Sequence, residues 1–181
     1  WARSAISGHW KVDSVTDVGA LEAAVRGIAA TQWHGEMPTH LFGAYEQAQE
    51  AIAVLRERLD LPGLRPAAAR NFRDKSRMKD VLRANGLPCA RHALVTSIEA
   101  AEAAARRIGF PLVVKPPAGA GAVSTYRVDD EAQLRVVLRQ APPSVQTPSL
   151  LEEFIVGEEQ SLETITVGGR AVWHSLTHYR P

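Results

Sequence analysis

The chain has 181 residues, a formal net charge of +1 and one cysteine, Cys89. So small a net charge excludes a general nucleic-acid or polyanion binder and leaves only local anion sites. A single cysteine excludes an internal disulfide framework and suits a reducing compartment, the cytoplasm, and no apolar run approaches the length of a membrane span. The chain begins at Trp1 and stops at Pro181 inside an expected strand, which reads as a piece of a longer protein.

Residues 11–18 read as a short strand. Asp17 or Gly19 opens a helix across 21–30, with Leu21, Ala24, Val25 and Ile28 on one face. Residues 31–40 read as a strand or irregular loop, where Gly35 and Pro38 break any helix that would align His34, Glu36 and His40 on a metal. The pattern predicts a helix over 42–59, with Tyr45, Ala48, Ile52, Leu55 and Leu59 as its apolar stripe and Pro62-Gly63 as its stop. Residues 67–71 read as a loop or half-turn. Asp74 caps a helix that runs to Asn85, with Met78, Val81 and Leu82 on its apolar face. Lys75 and Lys79 lie one turn apart on another face, and Gly86-Leu87-Pro88 makes the exit turn.

Residues 90–156 form a self-contained pattern. His92–Val95 is a strand, and Thr96 with Glu99 fits a capping box for a helix that turns Ile98, Ala101, Ala105 and Ile108 inward before Gly109. Leu112–Lys115 is a buried strand, and 123–128 returns as another. Asp129-Asp130 caps a second helix with Leu134, Val137, Leu138 and Ala141 on one face, and 150–156 is the last strand. The order strand, helix, strand, strand, helix, strand is that of a split βαβ module of α+β class. Beyond Gly157, residues 161–167 and 170–177 form a hairpin around Gly168-Gly169.

Two stretches carry chemistry. Lys115 ends a core strand, where an unpaired ammonium is costly, so it calls for an anion nearby. The small-residue loop with Gly119 and Gly121 follows at once, and such a loop lets backbone N–H groups approach phosphate oxygens. A lysine snorkelling from a strand end beside an ordinary glycine turn is the plainer alternative. The second stretch runs from Leu151 to Glu159. A strand entering a glycine hinge exposes main-chain groups that can pair with the edge of a flat heterocycle, and a carboxylate past the hinge can accept two hydroxyls; the alternative is a solvated acidic turn. His174 and His178 share a strand face about 13 Å apart, too far for one ion.

Taken in order, these blocks resemble the ATP-grasp superfamily. The blocks are Arg73-Asp74-Lys75 with Lys79, then Gly86-Leu87-Pro88, then Gly109 to Pro116 with Gly119, Gly121 and Ser124, then Leu151 to Ile155 with Gly157, Glu159, Ser161 and Glu163. The resemblance covers residues 43–181. It implies an α+β / α/β architecture in four parts. Residues 1–65 are the tail of a doubly wound domain, 66–89 a linking helix with the Asp-Lys motif, 90–156 the mobile lid, and 157–181 the start of an antiparallel C-terminal subdomain.

It further implies that Lys75 and Lys115 contact ATP phosphates from opposite sides, and that the loop with Gly119, Gly121 and Ser124 folds over them. The adenine amine meets the Glu152 side chain or the Glu153 carbonyl, within a hinge strand that includes Phe154. A ring nitrogen meets the Ile155 N–H, and Glu159 takes the ribose hydroxyls. The family's magnesium ligands are expected beyond residue 181. The implied activity joins a carboxylate, activated as an acyl-phosphate, to an amine. Bicarbonate activation of the carboxylase or carbamoyl-phosphate type is the alternative, as is a non-catalytic nucleotide-binding module. No nucleic-acid or membrane partner is implied, and there is room for a homo-oligomer.

Overall fold

A computed structural model describes residues 6–119 and 123–179. Helix α1 (Val18–Gln32) opens at Asp17, whose Oδ1 accepts from the Ala20 N–H at 3.0 Å. The strand expected over 11–18 is absent, and no strand precedes His92 among the described residues. Where a helix was expected over 42–59, a 3-10 turn (Glu46–Ala48) leads into α2 (Gln49–Arg58). Residues 41–45 lie against α2 instead of extending it. Gln49 Nε2 donates to the Gly43 carbonyl and Arg56 Nη2 to the Leu41 carbonyl, both at 2.6 Å. Gly43 permits this approach, because a Cβ there would run into Ile52. Phe42 and Tyr45 are consequently exposed, while Ala48, Ile52 and Leu55 are buried.

The expected loop at 67–71 is helical. Pro66 occupies the first turn of α3 (Pro66–Arg73), where its fixed φ suits a helix and its missing N–H costs nothing; three alanines follow. Asp74 ends α3 and caps α4 (Lys75–Ala84), accepting from the Ser76 and Arg77 N–H groups at 2.8 and 3.1 Å. Gly86, at φ +72°, turns the chain out of α4.

Strands β1 (His92–Val95), β2 (Leu112–Lys115), β3 (Tyr126–Val128) and β4 (Ser149–Glu153) form one sheet in the order β1-β4-β2-β3, antiparallel throughout. Helices α5 (Ile98–Ile108) and α6 (Glu131–Gln140) cover one face. Strand alternation sends Val95, Leu112, Val114, Val128 and Leu151 into that layer, against Ala101, Ala104, Ala105, Ile108, Leu134 and Leu138. On the other face the register aligns His92, Glu152, Val113 and Arg127 in one row across all four strands. Helix α4 lies over the β1 end of this row, held by an Asp80–His92 contact of 3.1 Å and an Arg83–His92 contact of 3.3 Å.

Several boundaries differ from those expected. Ser97, not Thr96, caps α5 by accepting from the Ala100 N–H at 3.1 Å, so Ile98 is left 37% exposed and Ala104 joins the core. Strand β3 begins at Tyr126, since Ser124 stands at φ +55° and its counterpart side of the ladder reaches Pro116, which has no N–H. Strand β4 ends at Glu153, because the ladder runs out at Pro111. The hairpin extends one residue further at each outer end, as β5 (Gln160–Val167) and β6 (Arg170–His178). Gly168 and Gly169 both take positive φ in its two-residue turn. No helix among the described residues is long and apolar enough to cross a membrane.

The α5–α6 layer carries the packing energy of this region. Leu134→Ala, at a site 1% exposed, is expected to lower unfolding stability by about 2–5 kcal/mol. Val136→Ala on the same helix, at a site 45% exposed, is expected to change it by less than about 0.5 kcal/mol. Urea denaturation of both variants measures the contrast.

Candidate functional site

Glu152 is the centre of the free sheet face. It lies on β4, flanked by β1 and β2, with only 6% of its surface exposed. A carboxylate so placed needs cationic partners, and two lysines supply them. Lys115, at the end of β2, pairs with Glu152 Oε1, and Lys79, on α4, lies 3.1 Å from Oε2. Oε2 is otherwise buried without an aligned hydrogen bond. Burial, and after it the neighbouring charges of Lys79 and Lys75, pushes the Lys115 ammonium down to about 8. Burial likewise lowers Lys79, against a smaller opposite effect of Cys89. Contact with the carboxylate works the other way in both, favouring the charged form.

The small-residue loop after β2 is tied to the start of α4. The Lys75 N–H donates to the Pro117 carbonyl at 2.9 Å. Lys75 Nζ donates to the Gly119 carbonyl at 2.8 Å, and Arg73 reaches the same oxygen at 3.3 Å while pairing with Glu46 at 2.9 Å. The first N–H groups of α4 are taken by Asp74 and by the Pro117 carbonyl, so the cationic contacts at this loop base come from the Lys75 and Arg73 side chains. Ser124 and Lys115 line an open cleft of about 620 Å³ with Pro116, Pro117 and Tyr126.

Of the residues singled out in the sequence, Lys75, Lys115, Gly119 and Glu152 are thus brought together. Gly121 lies outside the described residues. The Glu153 carboxylate turns away, taken by the Arg91 guanidinium through two contacts of 3.1 Å, which holds it below the ordinary carboxylate range. Phe154 lies under Arg127, whose guanidinium carbon is 4.4 Å from the ring centre. Arg127 belongs to the Glu152 row, so Phe154 remains beside the site. Ile155 and Glu159 are exposed past the end of β4, and the Glu159 carbonyl accepts from the Tyr179 N–H at 3.0 Å. Arg73 and Lys79 belong to this cluster although neither was singled out as a contact residue. The signal for Lys79 was its position one turn after Lys75; that for Arg73 was its place just before the Asp74 cap.

The arrangement sets two ammonium groups against one buried carboxylate and a third, Lys75, on the main-chain loop at their edge. It can accept a compact polyanion and, at Glu152, a hydrogen-bond donor. Among the described residues no three His, Cys, Asp or Glu side chains cluster closely enough to hold a metal ion.

Comparison with known proteins falls on the same segment. The family model described as the ATP-binding domain of the carbamoyl-phosphate synthase L chain matches residues 74–163. D-alanine–D-alanine ligase of Stutzerimonas stutzeri is 38% identical over 86 residues, which is 48% of this chain and 27% of that protein. The carbamoyl phosphate synthase large chain of Vibrio cholerae is 33% identical over 143 residues, 78% of this chain and 12% of that one. The crystal structure of an L-amino acid ligase from Bacillus licheniformis superposes with a TM-score of 0.64 at 27% identity, covering 83% of this chain and 34% of that one. The chain spans well under two thirds of the length of these relatives. The matched residues run from the Asp74 cap through Lys115 and Glu152 to the first strand of the hairpin, and the chain belongs to the ATP-grasp superfamily.

Proposed function

We propose that this chain carries the nucleotide grip of an ATP-dependent ligase. The observation that supports it is the convergence of Lys75, Lys115 and Glu152 on the base of the small-residue loop. Two ammonium groups suit a polyphosphate, since point charges tolerate a ligand that moves during reaction. The loop from Ala118 to Ser124 covers the phosphates and excludes water. The adenine amine is received by the Glu152 carboxylate or the Glu153 carbonyl, a ring nitrogen by the Ile155 N–H, and the ribose by Glu159, with Phe154 at the side of the base. In this reading residues 90–156 are a lid that moves about Gly86-Leu87-Pro88 and Gly157, residues 1–65 belong to the preceding domain, and 157–181 begin the next.

In the complete reaction a carboxylate attacks the γ-phosphorus and the bond to the ADP oxygen breaks. An amine then displaces phosphate from the acyl carbon, giving an amide, ADP and phosphate. This chain's residues bind and orient ATP and neutralise its charge. Magnesium would spread the developing phosphate charge in such chemistry. An amino-acid-type acceptor is favoured by the ligase likenesses in Stutzerimonas stutzeri and Bacillus licheniformis. Bicarbonate activation is the second reading, favoured by the carbamoyl-phosphate synthase description of the matching family model.

Calorimetric titration with ATP tests the grip. Lys115→Ala and Lys75→Ala are each expected to weaken binding by about tenfold or more, the loss of a charge-assisted contact. Unchanged affinity in both variants would overturn the reading.

Binding also depends on pH through Lys115, whose ammonium titrates at about 8. Affinity is expected to fall as pH rises through that value, because the neutral amine no longer compensates phosphate charge. In Glu152→Gln the carboxylate that favours the charged form is gone, so the fall is expected at lower pH. A shift to higher pH would contradict the pairing of Lys115 with Glu152.

A further inference from the structure

We propose that Lys79 is a positioning residue that releases Lys115 for phosphate by keeping the Glu152 carboxylate paired when Lys115 leaves it. The inference rests on the nucleotide-grip reading and adds a residue to which that reading gives no contact with the nucleotide.

Three observations carry it. First, Glu152 has two cationic partners on two different elements: Lys115 on β2 at Oε1 and Lys79 on α4 at Oε2. Second, the carboxylate is buried, so it cannot lose all its partners without a large penalty. Third, Lys75 and Lys79 are one turn apart on α4 but aim at different targets. Lys75 reaches the Gly119 carbonyl at the loop, whereas Lys79 reaches Glu152 behind it. Lys79 is therefore committed to the carboxylate, and Lys115 is shared between the carboxylate and whatever polyanion the loop admits.

Without a polyanion, Glu152 stands in for one, holding Lys115 in place. With one, Lys115 moves its charge to the phosphates while Lys79 remains on Glu152. If Lys79 were neutral, the move would strand a buried carboxylate, and Lys115 would stay where it is. The groups facing Lys115 are Glu152 on β4 and Lys79 and Lys75 on α4, so removing Lys79 also removes a repelling neighbour and tightens the Lys115–Glu152 pair further.

The test uses inorganic tripolyphosphate, which has no adenine and so isolates the phosphate end from any role of Glu152 toward the base. Lys79→Met is expected to weaken tripolyphosphate binding by about tenfold or more, the scale of one charge-assisted contact. Lys79→Arg is expected to keep it near the original value. Lys79→Met combined with Glu152→Gln is expected to recover binding relative to Lys79→Met alone, since the trapping carboxylate is gone. A second arm needs no ligand: the titration midpoint of the Lys115 ammonium, followed by NMR of its ε-carbon, is expected to rise in Lys79→Met.

Wild-type affinity in Lys79→Met would overturn the proposal. So would loss of binding that the added Glu152→Gln does not relieve, or a Lys115 midpoint that stays put. If the unsubstituted protein binds neither ATP nor tripolyphosphate, the nucleotide-grip reading fails. The midpoint arm then decides alone whether Lys79 governs the hold of Glu152 on Lys115.

Discussion

A single buried carboxylate with two ammonium partners governs this structure. Glu152 lies in the middle of a four-stranded sheet, on the face that the α5–α6 layer leaves free. Burying an ion is unfavourable, and the sheet tolerates it because β2 and α4 each bring a lysine to it. That requirement fixes the relation between elements distant in sequence. Helix α4 must lie across the free face, and β2 must end where its lysine reaches back to the centre of β4. The Asp80–His92–Arg83 contacts reinforce the same placement from the β1 side.

Around that ion cluster the positions proposed to meet the nucleotide sit at or near element ends. Lys75 begins α4, Lys115 ends β2 and Glu152 is next to last in β4. Regular elements hold each Cα, while the irregular segments beside them are free to meet a ligand. The two faces of the sheet accordingly do different things. One is aliphatic and packed by α5 and α6; the other is a row of mixed character in which His92, Glu152, Val113 and Arg127 follow one another across the strands.

Much of this was legible in the sequence where local signals were strong. The short apolar run before Lys115, the Asp74 and Asp130 caps and the Gly168-Gly169 turn each determine their structure through neighbouring residues alone. Legibility failed where a distant partner decides. The apolar spacing of 42–45 continues a helical stripe, yet Gln49 and Arg56 draw the carbonyls of 41 and 43 aside. Residues 67–71 read as a loop or half-turn, yet Pro66 stands in the first turn of a helix that contains them. Lys79 was legible only as a residue one turn after Lys75, because nothing local shows that a carboxylate 73 positions later is buried beneath it; its 3.1 Å contact exists only through the fold. The cluster of Lys75, Lys115 and Glu152 was readable because the resemblance joined blocks that propensity treats separately.

The tie between loop and helix has a consequence for how this sequence can drift over evolutionary time. Both anchoring atoms on the loop, the oxygens of Pro117 and Gly119, are main-chain atoms. Replacement of the intervening Ala118 side chain leaves them in place, so composition here is under weak constraint, and alternating alanine and glycine serve where a denser glycine tract would also do. Length is another matter. Deleting or inserting a residue between Pro117 and Gly119 presents a different carbonyl to the Lys75 ammonium while the Pro117 anchor stays, and the two can no longer be held together. Lineages descending from this chain should therefore vary in composition at 118 and hold the spacing of the 117 and 119 carbonyls fixed.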